Sequence, residues 1–143
     1  MVDDARLAQL RHFFETISPE SVGEIGRVYA PDAWFKDPFN EVRGVPAIEQ
    51  IFRHMFEQVD EPRFVIHDAV IQGEQGFVTW DFRFRMRRFN RAEQVIRGAS
   101  HLRFDAEGRV AYHRDYWDAA EELYEKLPLL GGLMRFLRRR AAS

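Results

Sequence analysis

Residues 112–118, YHRDYWD, decide how this chain is interpreted. They follow a turn that contains Gly108, and they have the composition of a β-strand, in which successive side chains point to opposite faces of the sheet. His113, Asp115 and Trp117 therefore share one face. An imidazole, a carboxylate and an indole in one row are typical of the wall of a small-molecule pocket, which is mostly apolar with a few placed polar groups. We predict that this row faces such a pocket.

The composition is that of an ordinary folded domain. The chain has 143 residues, 45% hydrophobic and 31% charged, with a net charge of −2, so it suits a single domain with a full core. The small net charge gives no general attraction to nucleic acid or membranes. The absence of cysteine excludes disulfides and thiolate sites. Because no segment has the pattern of a signal peptide or the apolar length of a membrane span, we expect a cytoplasmic protein.

Three helices are predicted in the first part of the chain. Apolar residues recur at helical spacing over residues 7–17, after a capping Asp4. A serine followed by a proline begins a second predicted helix over residues 18–30, since serine is a good N-cap and proline a good first helical residue. The third helix has apolar residues at i, i+3, i+4, i+7, i+8 and i+11 over residues 48–59, which is a strong amphipathic pattern.

After residue 62 the apolar pattern alternates instead. Following a short strand at residues 33–37, we predict four long strands over residues 64–71, 77–89, 93–104 and 109–117. The short breaks between them contain turn-forming residues and imply antiparallel hairpins. A sheet with one apolar face needs cover, and the early helices can provide it. The sequence therefore predicts an α+β domain: a cone-shaped, curved, mainly antiparallel sheet wrapped around three N-terminal helices.

A helical tail is predicted over residues 119–143 of this single domain. Asp118 and Glu121 have the spacing of a capping box at its start. Residues 129–140 combine an apolar helical face with several arginines, and such a segment can lie on an anionic membrane surface. It can equally fold over the mouth of the cone as a lid, or pack on a second subunit. We favour the lid or packing interpretation.

The strand predicted over residues 77–89 has two contrasting faces. Trp80, Phe82 and Phe84 share the apolar face with Met86, and these rings predict a hydrophobic ligand that is cyclic or long-chained. The other face carries a row of charged residues: Asp81, Arg83, Arg85 and Arg87. A nucleic-acid-binding stripe would need phosphate contacts. We favour a solvated outer face or a dimer interface, with no nucleic acid as partner.

The order of elements, with residues 29–38 (YAPDAWFKDP) and the IEQI segment at residues 48–51, resembles the nuclear transport factor 2-like superfamily. Within it, the chain is most similar to the SnoaL-like and ketosteroid isomerase-like groups, over about residues 5–122. The resemblance implies a cone-shaped fold and a homodimer through the outer sheet face. It leaves the reaction open, because this fold hosts isomerases, cyclases, hydrolases, dehydratases and binding modules.

The resemblance also implies site residues. In steroid isomerases, the Asp before the Pro of this motif is the general base, and here it is Asp37. The positions of their two oxyanion donors fall on Phe13 and Ser100, which are poor replacements. In limonene epoxide hydrolases and SnoaL-like cyclases, an Asp of the last strand activates water or moves a proton, and here it is Asp115. The SnoaL-like cyclases are the closest mechanistic match, because they need few other groups.

The predicted site has Asp115 as its main acid–base, Asp37 as a second acid–base across the pocket, and His113 orienting or polarising the ligand. An apolar pocket disfavours a charged carboxylate, which makes the group a better proton donor near neutral pH. The structural alternatives are an arginine pair for Asp115, a turn for Asp37, and a half-buried position at the pocket mouth for His113. The predicted walls are Trp80, Phe82, Phe84, Trp117, Ser100, Phe13, Phe52 and Phe56.

Two functions are compatible with this sequence. One is a cofactor-independent isomerase, cyclase or hydrolase that acts on a hydrophobic small molecule. The alternative is a non-catalytic ligand-binding or dimerisation module, which the replaced oxyanion donors favour. No metal site is expected, because His113, Asp115, Asp37 and His101 have no metal-binding spacing.

Overall fold

The computed structural model describes residues 4–88, 91–122, 139 and 141. This part of the chain is a six-stranded sheet with helices packed on its inner face. The elements in chain order are α1 (Ala5–Glu15), a 3₁₀ helix (Val22–Arg27), β1 (Tyr29–Lys36), β2 (Glu41–Arg43), α2 (Val45–Gln58), β3 (Val59–Gln72), β4 (Gln75–Met86), β5 (Glu93–Phe104), β6 (Val110–Tyr116) and α3 (Ala119–Glu122).

The sheet is open, with the strand order β2-β1-β6-β5-β4-β3. All neighbouring strands are antiparallel except β1 and β6, which run parallel and pair Phe35 with His113. A parallel pair needs a long crossover, and here the crossover is most of the chain. The predicted α+β fold with early helices and a mainly antiparallel sheet is confirmed.

The second predicted helix is wrong in type and length. Ser18 and Ser21 exchange hydrogen bonds between their hydroxyls and backbone N–H groups, at 2.9 and 3.1 Å, and hold a turn where the α-helix was expected. The short 3₁₀ helix follows, with two glycines among its six residues. Glycine is the least favourable helix former after proline. The chain then enters β1 at Tyr29, which the helical prediction had included.

Two features of the strands were not predicted. The three-residue β2 is held by pairing with β1 and is too short to show an alternating pattern. Strand β3 begins directly after α2, and its register against β4 shifts between Asp60 and Arg63, with Glu61 at a φ of 52°. Pro62 has no N–H to donate, so a bulge is needed to keep the strand paired. β4 ends at Met86, whereas its predicted end at residue 89 lies outside the described residues.

The core lies between the helices and the sheet. Asp4 caps α1 as predicted, accepting from the N–H of Arg6 at 2.9 Å. From α2, Ile48 and Phe52 are buried. The largest fully buried side chains come from the 3₁₀ helix, α2 and three of the strands: Tyr29, Phe35, Ile25, Ile48, Leu102, Val22 and Val110.

The outer face of the sheet carries the predicted arginine row, and it is paired with carboxylates. Arg83 contacts Asp81 and Glu93, each at 3.1 Å, and Arg85 contacts Glu61 at 2.7 Å. Burial alone would raise the pKa of Asp81, but hydrogen bonds from His67 and Arg83 outweigh it and lower the pKa. Basic and acidic groups therefore alternate on this surface.

The start of the tail is described and the rest is not. Asp118 Oδ1 accepts from the N–H of Glu121 at 3.1 Å, which confirms the predicted cap of α3. The predicted helix over residues 129–140 lies outside the described residues, apart from residue 139. Within the described residues, no helix has the length and apolar character that a membrane crossing needs.

Gly98 in β5 leaves the space that the indole of Trp80 occupies. A Cβ at position 98 would lie 2.5 Å from Trp80 Cη2 and Cζ2. Trp80 is only 9% exposed, and its Nε1 donates to Ser100 Oγ at 2.8 Å. The indole cannot move without losing core packing or this hydrogen bond.

We expect Gly98→Ala to lower the free energy of unfolding by roughly 1–3 kcal/mol, because overpacking shifts a well-packed side chain. Urea unfolding followed by tryptophan fluorescence measures this. Gly26→Ala is the matched control, since its Cβ would lie 3.9 Å from the nearest atom, and we expect a change within about 0.5 kcal/mol. Equal losses in the two variants would contradict the packing argument.

Candidate functional site

A cavity of about 610 Å³ lies between α2 and the inner face of the sheet. This volume is in the range of small-molecule sites. Of the predicted wall residues, six line it: Trp80, Phe82, Phe84, Trp117, Ser100 and Phe52. The walls are mainly aromatic and aliphatic side chains.

Phe13 and Phe56 do not line the cavity, so their assignment to its wall is corrected. Phe13 lies in the core and packs edge-on against Phe14, with ring centroids 5.2 Å apart. Phe14 occupies the cavity-facing position instead. Phe56 is half-buried against the core, whereas Met55 faces the cavity. In both cases the prediction chose the residue next in sequence to the one whose side chain faces the cavity. Adjacent residues of a helix point in different directions, so an error of one position moves a side chain out of the cavity.

Asp115 lies at the polar end of the cavity, and two side chains hold one of its oxygens. Ser100 Oγ and His113 Nε2 are each 2.5 Å from Asp115 Oδ1. The side chain of Asp115 is 15% exposed. Within the described part of the chain, no donor contacts Oδ2, and no arginine or lysine forms an ion pair with the carboxylate. The predicted alternative of an arginine pair for Asp115 is therefore not what these residues form.

Tyr29 holds the other side of the imidazole. Its hydroxyl lies 2.6 Å from His113 Nδ1, and both side chains are buried. Burial, and then the negative charge of Asp115, raise the pKa of Tyr29 well above its ordinary value of 10.0. The phenol therefore keeps its proton. In the neutral imidazole it donates to Nδ1, while Nε2 carries the imidazole proton and faces Asp115. His113 is buried and bonded on both nitrogens, not half-buried at the mouth.

Trp80 completes the polar chain from the other side. Its Nε1 donates to Ser100 Oγ at 2.8 Å, which leaves the hydroxyl proton of Ser100 to point at Asp115. Five side chains from β1, β6, β5 and β4 thus form one connected chain of hydrogen bonds: Tyr29, His113, Asp115, Ser100 and Trp80. Every donor in it is directed toward the carboxylate. Connected hydrogen bonds of this kind restrict the side chains that form them.

Asp37 also lines the cavity, but its carboxylate is used by its own loop. Oδ1 accepts from the backbone N–H of Phe39 at 2.8 Å and of Asn40 at 2.7 Å, and from the Asn40 amide at 3.1 Å. This is the turn geometry that the sequence left open as the structural alternative. β1 and β6 pair as far as Lys36 and Arg114, and the next residues, Asp37 and Asp115, line a shared pocket on adjacent chain segments rather than facing each other across the cavity.

The cavity mouth has polar residues that the sequence analysis did not identify. Gln50, His54 and Gln58 follow one another at intervals of four along α2, are exposed, and line the cavity. Phe39 packs edge-on against Trp117, with centroids 5.7 Å apart. Tyr29 was missed as well, because its role depends on the parallel pairing of β1 with β6, which no local pattern reveals.

His101 lies away from this site. It stacks on Phe77 with ring centroids 4.5 Å apart and bonds Gln75, so it belongs to the outer face. Burial, and then the charge of Arg103, lower its pKa. Among the residues that the structure describes, no group of three potential ligands could hold a metal ion.

Comparison with solved structures shows the fold. A ketosteroid isomerase-like protein from Catenulispora acidiphila, solved with trimethylamine, has a TM-score of 0.72 at 14% identity, covering 85% of this chain and 92% of that chain. An NTF2-like protein of unknown function from Burkholderia pseudomallei has a TM-score of 0.71 at 19% identity, covering 82% and 94%. An LEH-like epoxide hydrolase from M. tuberculosis has a TM-score of 0.66 at 16% identity, covering 94% and 93%.

Comparison by sequence gives the family. No curated protein matches the chain. The family model of the SnoaL-like domain matches residues 10–113, which is more than half of the chain and reaches from α1 to the histidine of the polar chain. The protein therefore belongs to the SnoaL-like family, within the NTF2-like fold.

Proposed function

We propose that this protein is a cofactor-independent enzyme that moves a proton on a hydrophobic small molecule, with Asp115 as the acid–base. One observation carries the proposal. A carboxylate lies in a mainly apolar cavity with one oxygen fixed by Ser100 and His113, while the second oxygen has no donor among the described residues. A general base must be positioned before its proton affinity matters.

The chemistry needs only this one group. Oδ2 of Asp115 accepts a proton from a carbon next to a carbonyl, the C–H electron pair moves into the enolate, and Asp115 returns the proton to another atom of the same molecule. The fixed Oδ1 keeps the carboxylate in one orientation for both steps, which lowers the entropic part of the barrier. No second reactant is required.

His113, Ser100 and Tyr29 are positioning residues in this proposal. Each acts on the carboxylate directly or through one neighbour and has its polar atoms occupied within the protein. The sequence analysis gave His113 a polarising role, but a side chain bonded on both nitrogens is better placed to orient Asp115. Asp37 holds the loop at the cavity mouth, and the acid–base role assigned to it stays a prediction that the turn geometry does not favour.

An isomerisation or cyclisation fits these walls better than the opening of an epoxide. Epoxide hydrolases of this fold pair their aspartate with an inward arginine and a second acid, and Trp80, Phe82 and Phe84 occupy the inward positions here. The fold-level similarity to the M. tuberculosis enzyme does not supply those groups. A single acid–base that takes up and returns one proton needs neither.

A non-catalytic ligand-binding module is the second candidate. The observation that favours it is the position of Phe13, which lies in the core where steroid isomerases place an oxyanion donor. Both candidates need the cavity, but only the enzyme needs the carboxylate for turnover. Replacing Asp115 therefore separates them.

We expect the wild type to catalyse exchange of the α-protons of 2-tetralone in D₂O above the buffer rate, and Asp115→Asn to reduce this catalysis by at least about 100-fold, the range typical of a lost general base. Proton NMR follows the exchange. The variant keeps the shape of the side chain, so we expect the Kd for 2-tetralone, from tryptophan fluorescence, to stay within about threefold, a change of less than 1.4 kcal/mol.

The control is Asp68→Asn, which removes the same charge from an exposed position of β3 outside the cavity. It should exchange 2-tetralone at the wild-type rate. Binding without catalysed exchange in the wild type, or full exchange in Asp115→Asn, would contradict the acid–base role and favour the binding module.

The raised pKa of Tyr29 makes stability depend on alkaline pH. Folding favours the protonated phenol, so its contribution is complete below the ordinary value of 10.0 and is lost as the pH rises through it toward the higher pKa of the folded state. We expect the free energy of unfolding to fall more steeply between about pH 9 and about pH 11 in the wild type than in Tyr29→Phe. Urea unfolding at several pH values measures the two slopes.

Tyr29→Phe should also cost roughly 1–3 kcal/mol at neutral pH, because it leaves the buried Nδ1 of His113 without its donor. Tyr116→Phe is the matched control, since Tyr116 is 52% exposed, and we expect it to keep the wild-type slope. Parallel slopes for the wild type and Tyr29→Phe would show that the buried phenol does not govern alkaline stability.

We also propose a homodimer through the outer sheet face. An aromatic row crosses β4, β5, β6 and β1, where Phe77 stacks on His101, His101 meets Tyr112 edge-on, and Tyr112 stacks on Trp34. Phe77 is 53% exposed and the adjacent Val70 is 63% exposed. Apolar surface in one continuous row is typical of an interaction site. The predicted cytoplasmic location stays a prediction.

We expect the wild type to sediment as a dimer at micromolar concentration and Phe77→Arg as a monomer, because a buried unpaired charge opposes association. Sedimentation velocity gives the molar masses. Gln9→Arg is the control, on an exposed position of α1, and should leave the dimer intact. A monomeric wild type, or a dimeric Phe77→Arg, would contradict this interface.

A further inference from the structure

We propose that the cavity binds a hydrophobic amine, with the ammonium group on Oδ2 of Asp115 and the apolar part among the aromatic side chains of the cavity. This inference rests on the proposed function and goes beyond it: the ammonium group takes the oxygen that would accept the substrate's proton, so the amine competes with the substrate for the same site. Its test measures binding alone, so it can fail while the acid–base role of Asp115 stands, and the reverse also holds.

The charges around the cavity carry the first part of the argument. Among the described residues that line it are two carboxylates, Asp37 and Asp115, and no lysine or arginine. Asp37 is bonded to its loop, whereas no lysine or arginine among the described residues lies within ion-pair distance of Asp115, whose partner is the imidazole of His113. Oδ2 of Asp115 has no donor among the described residues, so it is the oxygen that an ammonium group would meet.

The rings around Asp115 carry the second part. Trp80 is two hydrogen bonds from the carboxylate, through Ser100, and its indole also lines the cavity. Trp117 follows Asp115 by two residues, just after the end of β6. It lines the same cavity, with Phe39 packed against it. Aromatic faces attract a cation within about 6 Å of the ring centroid, tryptophan most strongly. An ammonium group bound to Asp115 therefore shares the cavity with the two indoles.

The shape of the cavity explains the hydrophobic part of the ligand. Seven α2 residues line it: Ala47, Gln50, Ile51, Phe52, His54, Met55 and Gln58. With a rise of 1.5 Å per residue, this wall extends for about 16 Å. Phe64, Phe82 and Phe84 form the opposite apolar wall. A ring system or a long chain therefore fits beside α2 while its amine reaches Asp115.

The same features act against anions. A carboxylate or phosphate ligand would lose its hydration on entering a mainly apolar cavity, and a lost charge–water interaction is costly unless a cation replaces it. None of the described lining residues is a permanent cation, and Asp115 would repel the ligand. The expected order of affinity is amine, then neutral isostere, then anion.

The test uses three probes of nearly equal shape: 2-naphthylmethylamine, 2-naphthalenemethanol and 2-naphthoate, titrated at neutral pH by calorimetry. We expect the amine to bind the wild type at least about tenfold more tightly than the alcohol, in keeping with a partly desolvated charge and cation–π contacts. We expect no measurable binding of the naphthoate. In Asp115→Asn, the amine and the alcohol should bind within about threefold of each other.

Asp68→Asn is the control for the loss of one charge and should keep the wild-type preference for the amine. Equal affinities for amine and alcohol in the wild type, an amine preference that persists in Asp115→Asn, binding of the naphthoate, or no binding of any probe would each overturn the inference. Exchange of 2-tetralone that depends on Asp115 would still support the acid–base role in any of these cases.

Discussion

The parallel pairing of β1 with β6 is the constraint on which the site depends. It brings Tyr29 and His113, 84 positions apart in the chain, to 2.6 Å. Antiparallel pairing of β6 with β5 and of β5 with β4 then places Ser100 and Trp80 beside Asp115. Four strands each supply one or two members of the polar chain, so the carboxylate is held by the sheet itself. Sites built on strands are positioned more accurately than sites built on loops.

Because Ser100 and His113 hold Oδ1 of Asp115, the sheet and the cavity walls have separate roles. The sheet fixes Asp115, while α2 and the loop after β1 form the walls that a ligand touches. A change of wall residue alters which molecule fits without altering the direction of the carboxylate. This separation gives a physical reason why one fold hosts many reactions, and it explains why fold similarity at 14–19% identity cannot name a substrate.

The periodic part of this structure could be predicted from the sequence. The alternation of apolar and polar residues predicted β5 with its observed bounds. It also placed His113, Asp115 and Trp117 on one face, because successive side chains of a strand point to opposite faces of the sheet. Local turn chemistry gave the cap at Asp118. What could not be predicted depends on contacts distant in sequence: β2 exists only through pairing with β1, and Tyr29 matters only because β1 runs beside β6. On helices, a residue such as Phe13 is one step from Phe14, and tertiary packing decides which of them faces inward.

Gly98 shows how far the influence of a residue without a side chain can reach. It touches no ligand, yet the space above it fixes the indole of Trp80, which orients Ser100, which holds Asp115. Two of these contacts are side-chain hydrogen bonds and the third is steric, so the effect passes through side chains alone. Sequence changes at position 98 and at position 80 are therefore expected to be inherited together in this lineage, since a larger residue at one is tolerated only with a smaller ring at the other.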